Sequence, residues 1–135
     1  QFADTADGAW HSGIDVGTYS NKIYLLDPVS KQIWRYGRGT EAYGGAQAYF
    51  SGEEDISGAV SIAVDGSIWL LGSDGRLSKY LSGQKVEFEI KKAPTASMEG
   101  ATQVYTELEL NQVYVLDPAN KRLFVFDKSE FQIGL

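Results

Sequence analysis

Cysteine is absent, so neither a disulfide nor a thiolate metal site can form. That absence does not choose between the cytosol and an oxidising compartment. No run approaches the roughly 18 apolar residues that a membrane-spanning helix needs, and no membrane insertion is expected. No window reads as a helix of consequence, and no low-complexity tract or interdomain linker interrupts the chain. Histidine occurs once, at His11. A nucleophile needs a base and an orienting group around it, and Ser12 adjoins His11, where adjacent strand residues face opposite sides. No G-x-S-x-G is present either. The chain is therefore read as non-enzymatic, with no catalytic residue, no metal and no cofactor assigned. Positive charge is in deficit: 12 basic residues against 18 acidic give a net charge of −6. Phosphate backbones and anionic membranes are disfavoured as partners, and no nucleic acid is expected.

What is present is a repeat. Asn21-Lys22-Ile23-Tyr24-Leu25-Leu26-Asp27-Pro28 returns as Gly66-Ser67-Ile68-Trp69-Leu70-Leu71-Gly72-Ser73 and again as Asn111-Gln112-Val113-Tyr114-Val115-Leu116-Asp117-Pro118, spaced by 45 residues each time. A fixed period of about 40–50 residues built from strands signals a propeller or a related array. The 135 residues form one domain (1–135), and 43% hydrophobic content is enough for a core. Three blades are expected, at about 11–50, 56–90 and 98–135, each of four antiparallel strands. Ile23–Leu26 is apolar at every position, as a strand buried on both faces must be. Asp27-Pro28-Val29-Ser30 reads as a turn, because Pro presets φ and Asp can bond its own backbone. Asp65-Gly66 reads as a hairpin turn. Val86–Ile90 alternates apolar and Glu as a half-exposed outer strand, and Phe131–Leu135 reads as the fourth strand of the last blade. A Gly at 13, 58 and 100 marks the start of each inner strand, where strands crowd toward an axis.

The pattern N-x-[IV]-[YW]-x-L-D-P-x-x-K-x-[ILF]-x-x-[FY] resembles blades of NHL-type and related six-bladed β-propellers. Asn111–Asp127 matches best, and Asn120-Lys121-Arg122 resembles the Asn-x-Arg of NHL blades. The likeness covers roughly residues 11–135. Gly72 departs from the expected Asp, and Gln32 from the Arg. Similar blades occur in extracytoplasmic propeller domains of larger bacterial proteins, so the resemblance implies a cell-surface or secreted location. Closed propellers have about 4–8 blades, so three cannot close. Half of a six-bladed ring is expected, completed by a second copy of the chain or by the remainder of a longer one. The start at Gln1, without Met or signal-peptide pattern, fits a processed product or excised segment.

For function, a recognition scaffold that binds a protein or peptide on its loop face leads. A sugar-binding propeller is the alternative, and a propeller lyase or lactonase is third. Candidate ligand contacts are Trp10, His11, Lys31, Arg76, Lys121 and Arg122. Trp10 alone among the tryptophans falls outside the repeat core. Lys31, Arg76 and Lys121 are spaced by 45 residues on the turns after the second strand of each blade, and form an expected ring of positive charge. Binding groups concentrate on loops held by a rigid scaffold. Glu53-Glu54-Asp55 lacks the spacing of a calcium loop.

Overall fold

The computed structural model describes residues 10–37, 44–91 and 93–133. The lead-in before Trp10, most of the Gly37–Gly45 connection and the last two residues lie outside them. The described residues are all-β and antiparallel, with one 3-10 turn among them at Lys128–Glu130.

The first sheet holds β1 (Asp15–Tyr19), β2 (Lys22–Asp27), β3 (Gln32–Gly37) and β4 (Gln47–Ala48) in spatial order. The second repeats this with β5 (Ala59–Val64), β6 (Ile68–Gly72), β7 (Leu77–Leu81) and β8 (Gln84–Val86). The third holds β10 (Gln103–Tyr105), β11 (Gln112–Asp117) and β12 (Arg122–Asp127). β9 (Phe88–Ile90) and β13 (Phe131–Ile133) form a two-stranded sheet of their own.

Two expectations are corrected here. Val86–Ile90 is not one strand: β8 pairs with β7, while β9 leaves the second sheet. The last strand forms, but it does not complete a four-stranded third blade. It turns back after Lys128–Glu130 and pairs with β9, Phe131 opposite Ile90. Aromatic packing explains the choice. The Phe131 ring sits 4.9 Å from Trp69, 5.1 Å from Phe88 and 5.7 Å from Phe126, all in edge-on or tilted contact. This strap is reinforced by Lys128, which reaches Asp65 of the second sheet at 2.8 Å and donates to the Glu107 carbonyl.

Registers across the sheets make the repeats comparable position by position. Leu26 faces Asp15, Leu71 faces Ser61, and Leu116 faces Gln103. A bulge between Ala59 and Ser61 absorbs one extra residue in β5. In the third repeat, the Thr102 N–H donates to the Leu116 carbonyl as the Ile14 N–H donates to Leu26. Ala101, not Gly100, therefore matches Gly13, and the expected glycine column is one residue out.

The apolar run of the second sheet is buried on both faces because that sheet alone of the three has a neighbour on each side. Tyr24, Leu26, Ile33 and Phe50 of the first repeat pack with Ile62, Val64, Ile68, Leu70 and Tyr80 of the second. The opposite face of the second sheet, with Ala63, Trp69 and Leu71, packs with Val104, Val113, Val115, Phe126 and Phe131. The innermost strands β1, β5 and β10 lie side by side. A Cβ on Gly17 would stand 2.9 Å from the Val64 side chain, which is why glycine occupies that place. Asp15 bridges the sheets: its Oδ2 accepts from the Ile62 N–H at 2.9 Å and the Ser61 hydroxyl at 3.1 Å. Ser61 Oγ in turn accepts from the Val104 N–H at 3.0 Å.

Candidate functional site

One rim of the molecule collects the loops that precede each inner strand and the turns after β2, β6 and β11. All six residues expected to contact a ligand belong to this rim. Trp10 is 41% exposed, and His11, Lys31, Arg76, Lys121 and Arg122 are exposed.

The turns have a common design with one deviation. Lys31 and Lys121 adopt positive φ, 51° and 55°, and their N–H groups close the turns on the Pro28 and Pro118 carbonyls. In the second repeat, the positive-φ place is taken by Gly75, at 85°, whose N–H bonds the Gly72 carbonyl. This turn is one residue shorter. Leu77 pairs with Leu71 as Ile33 pairs with Leu26 and Leu123 with Leu116. Arg76 therefore matches Gln32 and Arg122, not Lys31 and Lys121, and the equal spacing in sequence does not make one ring of equivalent cations. Arg76 lies 3.7 Å from Asp74, both side chains largely solvated. Arg122 borders a shallow recess with Asn120, Ser97 and Ala96.

His11 and Ser12 serve the rim with their main chain. Their N–H groups donate to the Asp27 carboxylate at 2.8 and 3.2 Å, joined by the Ser30 N–H at 3.3 Å and the Trp34 indole at 3.1 Å. Burial pushes the Asp27 carboxyl up, but the bonds from His11, Ser30 and Trp34 outweigh it and hold the pKa below the usual value. Asp117 occupies the same place in the third repeat and is equally buried, yet among the described residues it receives only the Asn120 amide, at 2.9 Å, and its Oδ1 has no partner. The matching loop there is tied elsewhere: the Glu99 N–H to Ser97 Oγ and the Gly100 N–H to the Ser73 carbonyl.

The second repeat has Gly72 where the others have Asp, and Ser78 where they have Trp34 and Phe124. Both line a cavity of about 400 Å³. Sequence reasoning did not anticipate it, although the replaced column was visible. Asp55, at its mouth, is held below the ordinary carboxylate range by the Ser57 hydroxyl and N–H, with Lys31 adding a smaller attraction.

A second concavity, about 240 Å³, runs along the inner strands between Asp15, Thr18, Gln103, Tyr105 and Glu107. A hydrogen bond to Glu107 raises the Tyr105 hydroxyl, and burial and the Glu107 charge add to it. Among the described residues, no group of three or more His, Asp or Glu is arranged to hold a metal ion. No described helix is long and apolar enough to cross a membrane.

No protein-family model matches the chain, and no curated protein matches it in sequence. Among solved structures it is similar to a luciferin-regenerating enzyme, with a TM-score of 0.55 and 18% identity. That enzyme's fold is a propeller. The match covers 92% of this chain and 43% of that one, so the chain spans less than half of that protein's length. At this identity the likeness shows fold alone: the chain has a β-propeller-like architecture of three antiparallel sheets with three or four strands each.

Proposed function

We propose that the chain is half of a six-bladed propeller, related to NHL-type blades, that joins a second copy head to tail and serves as a non-catalytic recognition scaffold. One observation carries the proposal: each outer sheet exposes the face that its equivalents bury. Leu26 and Leu71 are both 0% exposed against the following sheet, while Leu116, at the same position, is 40% exposed. On the reverse faces Ile62 and Val104 are 4% and 1% exposed, while Val16, their equivalent, is 55% exposed. Leu123 and Val125 extend the first open face, and Ile14 extends the second. Contiguous exposed apolar surface of this kind marks an interaction site. Because the third-sheet face repeats the one that the first sheet buries, the natural cover for it is another first sheet. Such a contact is heterologous and closes into a ring if the rotation allows.

The recognition role rests on the rim, where Lys31, Arg76 and Lys121 stand on short turns, Arg122 opens β12 and Trp10 leads into the first sheet, an array that suits a protein or peptide ligand. His11 and Ser12 work as main-chain donors to Asp27, which supports a structural role for them over a catalytic one. An extracytoplasmic location follows from the same blade kinship. The test is the native mass by light scattering on a size-exclusion column. The expected value is twice 14.8 kDa; a folded monomer at micromolar concentration overturns ring completion.

A further inference from the structure

We infer that the cavity in the second repeat is a binding site for a free aromatic amino acid. It goes beyond the reading above and lies within one chain, so it stands whether or not a ring closes.

The first and third repeats plug this place themselves. In the first, Asp27 and the Trp34 indole fill it, joined by a 3.1 Å hydrogen bond. In the third, Asp117 and Phe124 stand at the same positions. In the second, a carboxylate and an aromatic ring are replaced together by Gly72 and Ser78, and both replacements line the resulting cavity. Its volume, about 400 Å³, exceeds that of one indole side chain and fits a small ligand. Asp74 covers part of the vacated place, its Oδ1 lying 2.7 Å from where a Cβ on Gly72 would stand, and the rest stays open.

The lining fits the chemistry of what is missing. Ile56, Ala59 and Leu70 supply the apolar part of the lining, against which a ring can pack. Arg76 and Lys85 supply cations for a carboxylate. Arg76 reaches this mouth because the short turn puts it where Gln32 stands, and its guanidinium has a solvated ion pair with Asp74 at 3.7 Å. Gln32 spends its amide on Phe50, accepting from the N–H at 2.9 Å and donating to the carbonyl at 3.3 Å, whereas the Arg76 side chain is 87% exposed. The same mouth carries Asp55 and Asp74. A plain aromatic carboxylate would meet those two as repulsion; an α-ammonium group beside the carboxylate turns them into partners. Ring, carboxylate and ammonium together define the ligand class.

The test is calorimetric and amide-NMR titration of the whole chain with L-tryptophan, and in parallel with tryptamine, indole-3-propionate and glucose. L-Tryptophan is expected to bind saturably, shifting amides of residues 55–59, 72–78 and 85. Loss of either charged group should weaken binding. Ser78→Trp, which restores the plug, should weaken it ~10-fold or more, as expected when a ring no longer fits its pocket. Because that variant could perturb the fold, Arg76→Gln is measured beside it: it should weaken L-tryptophan several-fold while leaving the already weaker tryptamine unchanged. No saturable binding, glucose binding in place of the amino acid, or affinity untouched by both substitutions overturns the assignment.

Discussion

The Trp34 indole N–H donates to Asp27 Oδ2 at 3.1 Å, at a carboxylate with no solvent exposure. Three backbone N–H groups converge on the same side chain. The turn after β2, the outer part of β3 and the loop before β1 are thus fastened at one point.

The first prediction concerns that point. Asp27→Asn keeps the shape but replaces one accepting oxygen with a donor, leaving buried N–H groups without partners. A loss of ~2–3 kcal/mol is expected for a buried, charge-assisted cluster. Asp117→Asn should cost less, since only Asn120 donates there. The pH dependence has a definite sign. The folded-state pKa of Asp27 is lowered from 3.8, so its contribution is fully present above about pH 4. It is lost as pH falls through the lower, folded value. Denaturant midpoints measured from pH 6 down to 2.5 should fall more steeply for the native chain than for Asp27→Asn. Parallel curves would refute the assignment.

Gly75 is the next point of tension. It sits at φ 85°, and a Cβ there would stand 2.5 Å from the Met98 carbonyl carbon and 2.6 Å from the Glu99 nitrogen. Both obstacles are backbone, so neither can swing aside. Gly75→Ala should cost ~2 kcal/mol or more through strain and displacement of the 98–100 loop. Gly52, with nothing within 4 Å, is the control. Gly52→Ala should change stability by less than ~0.5 kcal/mol. Thermal unfolding of the two variants checks the contrast.

The strap gives a third prediction. Phe131→Ala empties a nest of three aromatic rings and should cost ~3–5 kcal/mol. Lys128→Met breaks a largely buried pair with Asp65 and should cost ~1–3 kcal/mol. Both should lower amide protection across β9 and β13 before any loss in β5 and β6. Uniform loss of protection would mean that the strap is not a separate unit.

These features show where sequence reasoning succeeds and where it stops. The repeat was legible because Leu26, Leu71 and Leu116 recur at one spacing beside turn residues with a fixed mechanism. The pairing of β13 with β9 was not. The alternation Phe88, Glu89, Ile90 says that one face is covered, but not by which strand. The cation column is offset for a local reason. One residue is missing from the turn at Gly75, and the strand registers together with the positive φ shared by Lys31, Gly75 and Lys121 give the true alignment. The cavity is written in the column Trp34, Ser78 and Phe124, but two aromatic residues there fit a packed core equally well, and a single small residue does not by itself show an opening.

The open faces yield the last prediction. Leu116→Glu and Val16→Glu fall at exposed positions, 40% and 55%, so each variant should fold with little change in monomer stability. Each should nevertheless lose the doubled mass, because a charge would be buried without a partner at both junctions of the ring. Mixing the variants then separates two geometries. In a head-to-tail ring, the Leu116→Glu chain retains a sound first sheet and the Val16→Glu chain a sound third sheet. A mixed pair regains one of its two junctions, and a weaker heterodimer should appear in sedimentation of the mixture while each variant alone stays monomeric. If like faces met instead, one of the two substitutions would leave the dimer intact on its own, and mixing would restore nothing. The pattern across three samples therefore decides whether the third sheet of one chain covers the first sheet of the next.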